Sequence, residues 1–346
     1  MVRFLRNIYQ YAVLLLWAPA FVSCHKVQKT PAVSFYYWKT TAHFGREERS
    51  ALTRNQVSRL YLRLFDIVWN QEKGFAIPDG LLQVQEPLPD SVTLVPVVFI
   101  RNEVFRNNPD SAQATHLAAQ TSQLIHKMME RFGRHFAQVQ FDCDWTAGSG
   151  KAYFTFLRAF RRINPSLQLS ATIRLHQVKY PAQQGVPPVD TGVLMYYNMG
   201  RISNGPSLSV YDRDAALQYL PALSRYPLPL DLALPVFSWG ILVRNDQVHA
   251  LLNKTDERDY ADTAYFLQEA PGRYLVKQAH FRKGFYLCRG DRVKLEQISA
   301  GMLEEMAGDV HRYYPKTPAR IIFYDLDAFN LSRYDTSIFQ EIAHRF

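Results

Sequence analysis

Cysteine is scarce in this chain, which has only three cysteines in 346 residues. Cys24 lies in an N-terminal region that we expect to be processed, which leaves Cys143 and Cys288. The sequence therefore shows no framework of disulfides. Cys143 falls on the apolar side of a predicted strand, so we expect it to be a small buried thiol.

No apolar run at the N-terminus reaches the roughly 20 residues that a membrane-spanning helix needs. The run over residues 11–17 is short, follows Arg3 and Arg6, and precedes a small residue at Ser23. Basic residues, a short apolar run and a small residue are typical of a signal peptide, which we predict over residues 1–23. The alternative is cleavage near Ala20, which would give a soluble secreted product.

The serine before Cys24 resembles the bacterial lipobox, in which the cysteine becomes the lipid-modified mature N-terminus. Phe21 stands where that motif usually has leucine. The resemblance predicts lipidation of Cys24, a tether over residues 24–30, and a lipoprotein anchored to a membrane, the outer one, and facing the periplasm or the exterior.

The charge balance is basic. The net charge of +9 falls to +7 when residues 1–23 are removed, because that segment contains Arg3 and Arg6 and no acid. Such a balance favours anionic surfaces such as lipid headgroups or acidic polysaccharides. No zinc-finger or RNA-binding signature is present, and the protein is predicted to be exported, so we expect no nucleic-acid partner.

Linkers rich in Gly and Ser, internal repeats and low-complexity tracts are also absent, and from about residue 31 strand-like runs alternate with helical patterns. Alternation of this kind predicts parallel strands joined by crossover helices. We therefore predict one α/β domain over residues 31–346, a single (β/α)₈ barrel of the TIM type. Helical patterns cover residues 116–136, 153–163 and 212–220. The eight predicted strands are residues 33–39, 59–69, 94–102, 138–145, 167–176, 192–198, 232–239 and 320–327.

About 80 residues separate the seventh and eighth strands, more than a simple crossover requires. Residues 284–297 alternate and contain the turn signal Arg289-Gly290-Asp291, which predicts a β-hairpin within an insertion at about 248–300. Residues 301–313 resemble the missing crossover helix.

The fourth strand carries two carboxylates two residues apart. Gln140, Asp142, Asp144 and Thr146 fall on one side of the strand, and the other side is apolar. Because unpaired carboxylates in apolar surroundings are costly, the acidic side is expected to line the C-terminal mouth of the barrel. The alternative is that both aspartates are structural and hydrogen-bond to neighbouring strands.

Other strands also finish in polar or aromatic residues, which would collect at the same mouth. In the second strand Arg63 and Asp66 have opposite phases, so a regular strand cannot point both inward. Acids, aromatic rings and an Arg/His pair suit a carbohydrate site. The residues predicted to contribute are Tyr36, Trp38, Asp66, Trp69, Arg101, Asn102, Glu103, Arg174, His176, Tyr197, Trp239, Asp325 and Asp327.

The segment Val139–Thr146 resembles the fourth-strand signature of family-18 glycoside hydrolases, the chitinase-like barrels, which runs Asp-x-x-Asp-x-Asp-x-Glu. Asp142 and Asp144 match its second and third acids, and Trp145 matches a Trp often found before the Glu. Residues 195–198, Met-Tyr-Tyr-Asn, are similar to the sixth-strand Met-x-Tyr-Asp, which implies that Tyr197 and Asn198 contact sugar. Residues 234–240 resemble the seventh-strand segment. The whole chain also resembles a group of bacterial lipoproteins with glycosidase-like barrels.

Thr146 replaces the proton-donating glutamate of that family, and Val139 replaces its first aspartate. A threonine hydroxyl is far too weak an acid to protonate a glycosidic oxygen. One hypothesis is acid/base hydrolysis of a glycan or polysaccharide with a donor from another strand. Asp142 would then be a support and Asp144 the nucleophile or base. Asp325, Asp327 and Glu103 are candidate partners, with the donor open between Asp327 and Glu103.

The other hypothesis is a barrel that binds glycans without cleaving them. Its stacking platforms would be Tyr36, Trp38, Trp69, Tyr197 and Trp239. A third possibility is that the four acids chelate Ca²⁺. No EF-hand-like loop supports it, so we expect no metal and no cofactor.

Overall fold

The computed structural model of the protein describes residues 30–107 and 111–346. Cys24 and the predicted signal peptide lie outside the described residues. Within the described part of the chain, no helix combines the length and the apolar character needed to cross a membrane.

Eight parallel strands form a closed barrel with helices around it. Each strand is hydrogen-bonded to the next, and Phe35 of the first strand lies opposite both Leu60 of the second and Phe323 of the last, which closes the ring. The predicted TIM-type barrel is therefore confirmed. The strands are β1 (Ala32–Tyr37), β2 (Arg59–Asn70), β3 (Thr93–Ile100), β4 (Gln138–Asp142), β5 (Gln168–Arg174), β6 (Thr191–Met195), β7 (Leu230–Pro235) and β8 (Arg320–Tyr324).

The strand phases follow the predicted division of polar and apolar side chains. On β4, Phe141 packs edge-on against Phe156 and Phe160 of a surrounding helix, with ring centroids 5.0 and 4.8 Å apart. Gln140 points to the other side and accepts a hydrogen bond of 2.7 Å from the Tyr36 hydroxyl of β1, across the barrel interior. The helices are α1 (Arg46–Arg54), α2 (Asn102–Asn107), α3 (Ser111–Arg131), α4 (Gly150–Ile163), α5 (Leu175–Lys179), α6 (Pro181–Gln184), α7 (Arg213–Leu217), α8 (Ala300–Tyr313), α9 (Ala328–Leu331) and α10 (Ile338–Ala343), with 3₁₀ turns at Leu220–Arg225 and Glu257–Tyr260.

A β-bulge in β2 removes the conflict between Arg63 and Asp66. Arg63 lies opposite Val97 of β3 and Phe65 opposite Val98, so Leu64 is an extra residue in the ladder. The extra residue shifts the side-chain phase by one position. Arg63 and Asp66 therefore share a side, and the Arg63 Nε donates a 2.8 Å hydrogen bond to the Asp66 carboxylate. Beyond the bulge, β2 continues into a hairpin with the strand Phe75–Asp79.

The insertion between β7 and β8 is a five-stranded antiparallel sheet, which we call the insertion sheet. The predicted hairpin over residues 284–297 is wrong in its pairing. Phe285–Leu287 pairs instead with His280–Arg282, and Arg292–Gln297 joins the insertion sheet between two other strands. The residues before the turn at Gly290 therefore belong to one sheet, and the residues after it belong to another. The strands of the insertion sheet are Ser238–Arg244, Gln247–Asn253, Phe266–Ala270, Arg273–Val276 and Arg292–Gln297, and a further small sheet pairs Thr41–Ala42 with Gln83–Val84.

The insertion sheet has a hydrophobic core of its own. Tyr260 stacks on Tyr274, and Phe266 meets Tyr260 edge-on, with ring centroids 4.7 and 5.1 Å apart. The sheet starts at Ser238, directly after β7, and so begins earlier in the chain than the predicted insertion. The crossover helix predicted over residues 301–313 is α8.

Candidate functional site

A cavity of about 500 Å³ lies at the mouth of the barrel, where the carboxyl ends of the strands meet. The side chains that line it come from six of the eight barrel strands, β2 to β6 and β8, from the segments that follow the strands, and from the insertion sheet. Nine residues predicted from the sequence line this cavity, namely Trp38, Asp66, Asp142, Asp144, Arg174, Tyr197, Asn198, Trp239 and Asp325.

The two aspartates of the fourth-strand motif have different surroundings. Asp142 is buried and accepts a 2.7 Å hydrogen bond from the Thr172 hydroxyl of β5. Burial, and then the nearby charge of Asp144, raise the pKa of Asp142 to about 6. Asp144 is exposed and receives two hydrogen bonds of 2.6 and 2.8 Å from the Arg174 guanidinium. The exposed acid is thus held by a fixed cation, and the buried one is easily protonated.

A second pair of aspartates follows β8, across the barrel from β4. Asp325 accepts a 2.6 Å hydrogen bond from the Asn330 amide, and burial, followed by the charge of Asp327, raises the pKa of Asp325 to about 6. Burial would also raise the pKa of Asp327, but ion pairs with Lys254 at 2.8 Å and Lys39 at 3.0 Å outweigh it and lower that pKa. Asp327 also caps α9, away from the cavity lining.

Aromatic rings form part of the cavity lining. Tyr324 stacks on Tyr197 with centroids 5.7 Å apart, and it also contacts Trp38 and Phe237. Phe237 in turn contacts Trp239 at 5.0 Å. Polar groups and flat apolar faces therefore lie side by side in one cavity.

Tyr36 does not belong to this aromatic surface. Its ring is fully buried among Tyr61, Trp38 and Tyr324, and its hydroxyl is bonded to Gln140. The prediction that Tyr36 is a stacking platform is wrong. Tyr36 points inward as Trp38 does, but it lies two residues earlier on the strand, so its ring is in the packed barrel core below the cavity.

The insertion sheet supplies one wall of the cavity. Trp239 is the second residue of the sheet and donates a 3.1 Å hydrogen bond from its indole to Glu296, on the neighbouring strand. Glu296 is fully buried, and it also accepts hydrogen bonds from the Ser209 backbone and hydroxyl and pairs with Lys294. Burial would raise the pKa of Glu296, but Lys294 and Ser209 outweigh it and keep that pKa low. The Trp239 ring is therefore held by a fixed, ionised acceptor.

A second depression of about 470 Å³ adjoins the cavity and shares Asp144, Arg174 and Tyr197 with it. His176 and Thr146 line this depression and not the cavity itself. Burial, and then the charge of Arg174, lower the pKa of His176, which favours the neutral imidazole. The two depressions together form one groove across the mouth.

Four predicted residues lie elsewhere. Trp69 lines a separate depression with Phe75 and His116, because β2 extends beyond the barrel into its hairpin. Arg101, Asn102 and Glu103 line neither part of the groove. Asn102 and Glu103 form the first turn of α2, and Arg101 precedes it. The prediction that these four side chains join the site is not met by the structure, because Trp69 lies on the part of β2 beyond the barrel and β3 ends before the other three.

Several lining residues were not found from the sequence. Tyr324 ends β8. The polar residue that follows it, Asp325, is the sequence signal from which the position of Tyr324 at the mouth could have been predicted. Asn253 and Lys254 belong to the insertion, where no strand-end argument applies. The remaining unpredicted lining residues are Phe99, Met195, Phe237, Ser238 and Asn330.

The four aspartates do not form a cation site. In residues 30–107 and 111–346, no group of three or more His, Cys, Asp or Glu side chains is placed to hold a metal ion. Two of the four acids are instead held by basic side chains.

No protein-family model matches the sequence, and no curated protein matches it either. Solved structures are similar in fold. A chitinase from Chromobacterium violaceum is 14% identical with a TM-score of 0.50, and the match covers 88% of this chain and 98% of the chitinase. The spore cortex-lytic enzyme SleL of Bacillus cereus is 13% identical with a TM-score of 0.53, covering 92% of this chain and 75% of SleL.

A GH18 chitinase from Cycas revoluta in complex with (GlcNAc)₃ is 14% identical with a TM-score of 0.50, and the match covers 90% of this chain and 98% of that one. At such low identity these matches establish the fold, which is a chitinase-like barrel.

Proposed function

We propose that this protein hydrolyses a glycan bound at the mouth of its barrel by acid/base chemistry. One observation carries the proposal: Asp325, a carboxyl group whose pKa is raised to about 6, lines an aromatic cavity that also contains the arginine-bound Asp144. A carboxyl group that keeps its proton close to neutral pH is what a general acid requires.

Asp325 is the proton donor in this proposal, ahead of Asp327 and Glu103. Two lysines hold Asp327 ionised, so it has no proton to donate near neutral pH. Glu103 lies outside the groove. Asp325 lines the cavity, and its hydrogen bond with Asn330 fixes the orientation of its carboxyl group.

Asp144 acts as the negatively charged partner, either as nucleophile or as base, and stabilises the positive charge that develops on the sugar ring. Arg174 fixes the position of both its oxygens. Asp142 supports the site from behind. Because its pKa is raised to about 6, it takes up a proton readily and limits the repulsion between the two neighbouring carboxylates.

The sugar rings stack on Trp38 and Trp239, which line the cavity and are partly exposed, as aromatic side chains do in carbohydrate sites, while Tyr197 lines the cavity but is itself buried. The substrate class is an oligosaccharide or polysaccharide. Oligomers of GlcNAc and spore cortex are the first candidates, because they are named for the structural neighbours.

The test is turnover on a glycan panel that begins with these two candidates. Asp325→Asn should lower the rate by about 10²- to 10⁴-fold while substrate affinity stays the same, because it replaces the acidic carboxyl group by an amide that cannot act as an acid and keeps the shape. Asp90→Asn is the matched control. Asp90 is exposed, precedes β3 at the opposite end of the barrel and pairs only with Arg134 among the ion pairs of the described residues. Equal rates for both variants would refute Asp325 as donor.

A second function, glycan binding without cleavage, is favoured by Thr146, which stands where the related hydrolases have their donor. The Asp144–Arg174 ion pair also favours it, since it ties up an acid of the motif. In that case no glycan is cleaved, and Trp239→Ala weakens binding by about 1–3 kcal/mol through lost stacking. Trp69→Ala, at the separate depression, is the matched control. Calorimetry with intact glycans separates the two functions.

We also propose that the protein is an exported lipoprotein with lipid on Cys24. The basic n-region, the short apolar run and Ser23 before Cys24 support it. Mass spectrometry of the mature protein should show an acylated Cys24 as first residue. An unmodified Cys24, or a different start, would contradict the proposal.

A further inference from the structure

An exposed aromatic hairpin projects from the insertion. His280–Arg282 pairs with Phe285–Leu287, and the two strands are joined by Lys283 and Gly284. Both joining residues have positive φ, 49° and 81°, as a tight two-residue hairpin turn requires. We call residues 277–289 the insertion tip.

The insertion tip exposes large aromatic side chains to solvent. Phe281 is 78% exposed, and it contacts Tyr286, which is 49% exposed, with ring centroids 4.9 Å apart. Phe285 is also exposed. The base of the hairpin is fixed, because Leu287 is fully buried in the insertion core. Three aromatic rings on a fixed hairpin remain in contact with water, where they gain none of the free energy that burial would give. An exposed apolar cluster of this kind is typical of an interaction site.

The charge of the insertion tip is positive. Residues 277–289 contain Lys277, Arg282, Lys283 and Arg289, and neither Asp nor Glu. One acid from outside the tip, Asp259, lies 3.2 Å from Arg282 and 3.3 Å from Lys283. It compensates part of this charge, so the surface around the rings stays cationic.

This chemistry fits a lipid bilayer better than a glycan or a second copy of the chain. A glycan site like that at the barrel mouth combines aromatic rings with several carboxylates and amides, and the tip has one amide, Gln278, and no carboxylate. The exposed parts of three rings cover roughly 300 Å², well below the ~800 Å² per partner of a stable protein interface. Aromatic rings flanked by Lys and Arg are instead the pattern of segments that sit at the headgroup level of membranes.

We propose that the insertion tip docks on a bilayer surface that carries anionic lipid headgroups. Phe281, Phe285 and Tyr286 enter the interface, and the basic side chains contact the headgroup phosphates. The inference is independent of the activity proposed for the cavity, since none of the tip residues lines it.

The experiment compares vesicles of phosphatidylcholine with vesicles of equal parts phosphatidylcholine and phosphatidylglycerol. All proteins are full chains that carry Cys24→Ser, so no acyl chain is attached there. Co-sedimentation measures partitioning, and hydrogen–deuterium exchange of residues 277–289 locates the contact. The N-terminal segment is the same in every variant, so differences between variants report the tip.

With anionic vesicles, amide exchange in residues 277–289 should slow. The double variant Phe281→Ser/Tyr286→Ser should partition about tenfold less, and omission of phosphatidylglycerol should weaken wild-type binding by about tenfold or more. Phe75→Ser is the matched control, because Phe75 is a 54% exposed phenylalanine on the other hairpin, and it should bind as wild type does.

Three results would overturn the proposal. One is unchanged exchange in residues 277–289 when anionic vesicles are added. Another is equal partitioning of the double variant and the Phe75→Ser control. The third is protection of the tip that depends on protein concentration without vesicles, which would identify a second copy as the partner.

Discussion

The mouth of the barrel contains two Asp-x-Asp pairs, one at the end of β4 and the other just after β8. In each pair one acid is held by cations: Arg174 binds Asp144, while Lys39 and Lys254 bind Asp327. In each pair the other acid, Asp142 or Asp325, accepts a hydrogen bond from a neutral donor, and its pKa is raised to about 6.

The comparison shows that residue type and spacing do not decide which acid keeps a proton. Desolvation favours the neutral form of a carboxyl group, and a nearby cation favours the charged form. Both pairs combine the two effects on neighbouring residues. The pairs differ in exposure, since the cation-bound acid is the exposed one after β4 and the buried one after β8. Asp144 and Asp325 are thus the more exposed acids of their pairs, and both line the cavity.

The largest expected effect is on the pH dependence of turnover. If Asp325 is the donor, the rate should fall about tenfold for each pH unit above 6, because the group with a pKa of about 6 loses its proton. At pH 8 the loss would be about 100-fold. The measurement is the rate on a cleaved glycan from pH 5 to pH 9. A rate that stays constant through pH 8 would show that Asp325 is not the donor.

The next effect concerns the stability that Asp327 provides. Its pKa is lowered in the folded protein, so its contribution is present above the unfolded pKa of about 3.9 and is lost as pH falls below it. Asp327→Asn should therefore lower the free energy of unfolding by about 2 kcal/mol at pH 7, since it removes the partner of Lys254 and leaves Lys39 with Glu48 alone. Urea unfolding of the variant and of the wild type measures this difference in the free energy of unfolding. Asp90→Asn, in an exposed ion pair, should change stability by less than about 1 kcal/mol.

Asp142 should behave in the opposite way. Its folded pKa of about 6 lies above the unfolded value of about 3.9. The contribution of Asp142 to the free energy of unfolding is therefore largest below pH 4 and is lost as pH rises through 6. Asp142→Asn should raise the free energy of unfolding by about 1–2 kcal/mol at pH 8 and by almost nothing at pH 4. Unfolding curves at the two pH values test this. A destabilised variant at pH 8 would mean that ionised Asp142 has a stabilising partner.

Much of the fold could be predicted from the sequence, because barrel strands carry a period-two pattern that helices do not. All eight strands were predicted, and β4 has its polar and apolar sides as expected. The insertion was recognised from its length, but its pairing was not. Residues 284–297 read as one hairpin because the pattern shows where strands are and gives no information on which strands meet.

The candidate site could be predicted only where it follows strand ends. Asp142, Asp144 and Arg174 were placed at the mouth by phase alone. Lys254 was missed because it comes from the insertion, and Trp69 was misplaced because β2 extends beyond the barrel. The ionisation of the acids depends on burial and on distant lysines, and neither is visible in a local sequence pattern.

The barrel and the insertion sheet, which both contribute to the cavity lining, can differ in their stability against local unfolding. The insertion sheet has a small core, around Tyr260 and Leu287, that is separate from the barrel core, although Trp239 itself packs against the barrel core. Segments with separate cores can open separately, at a free energy below that of global unfolding. The acids at the strand ends would then persist on an intact barrel while the strands of the insertion sheet that lie away from it open. Asn253 and Lys254, which the insertion contributes to the cavity lining, would thus be the lining residues whose positions depend on the opening equilibrium of the smaller unit.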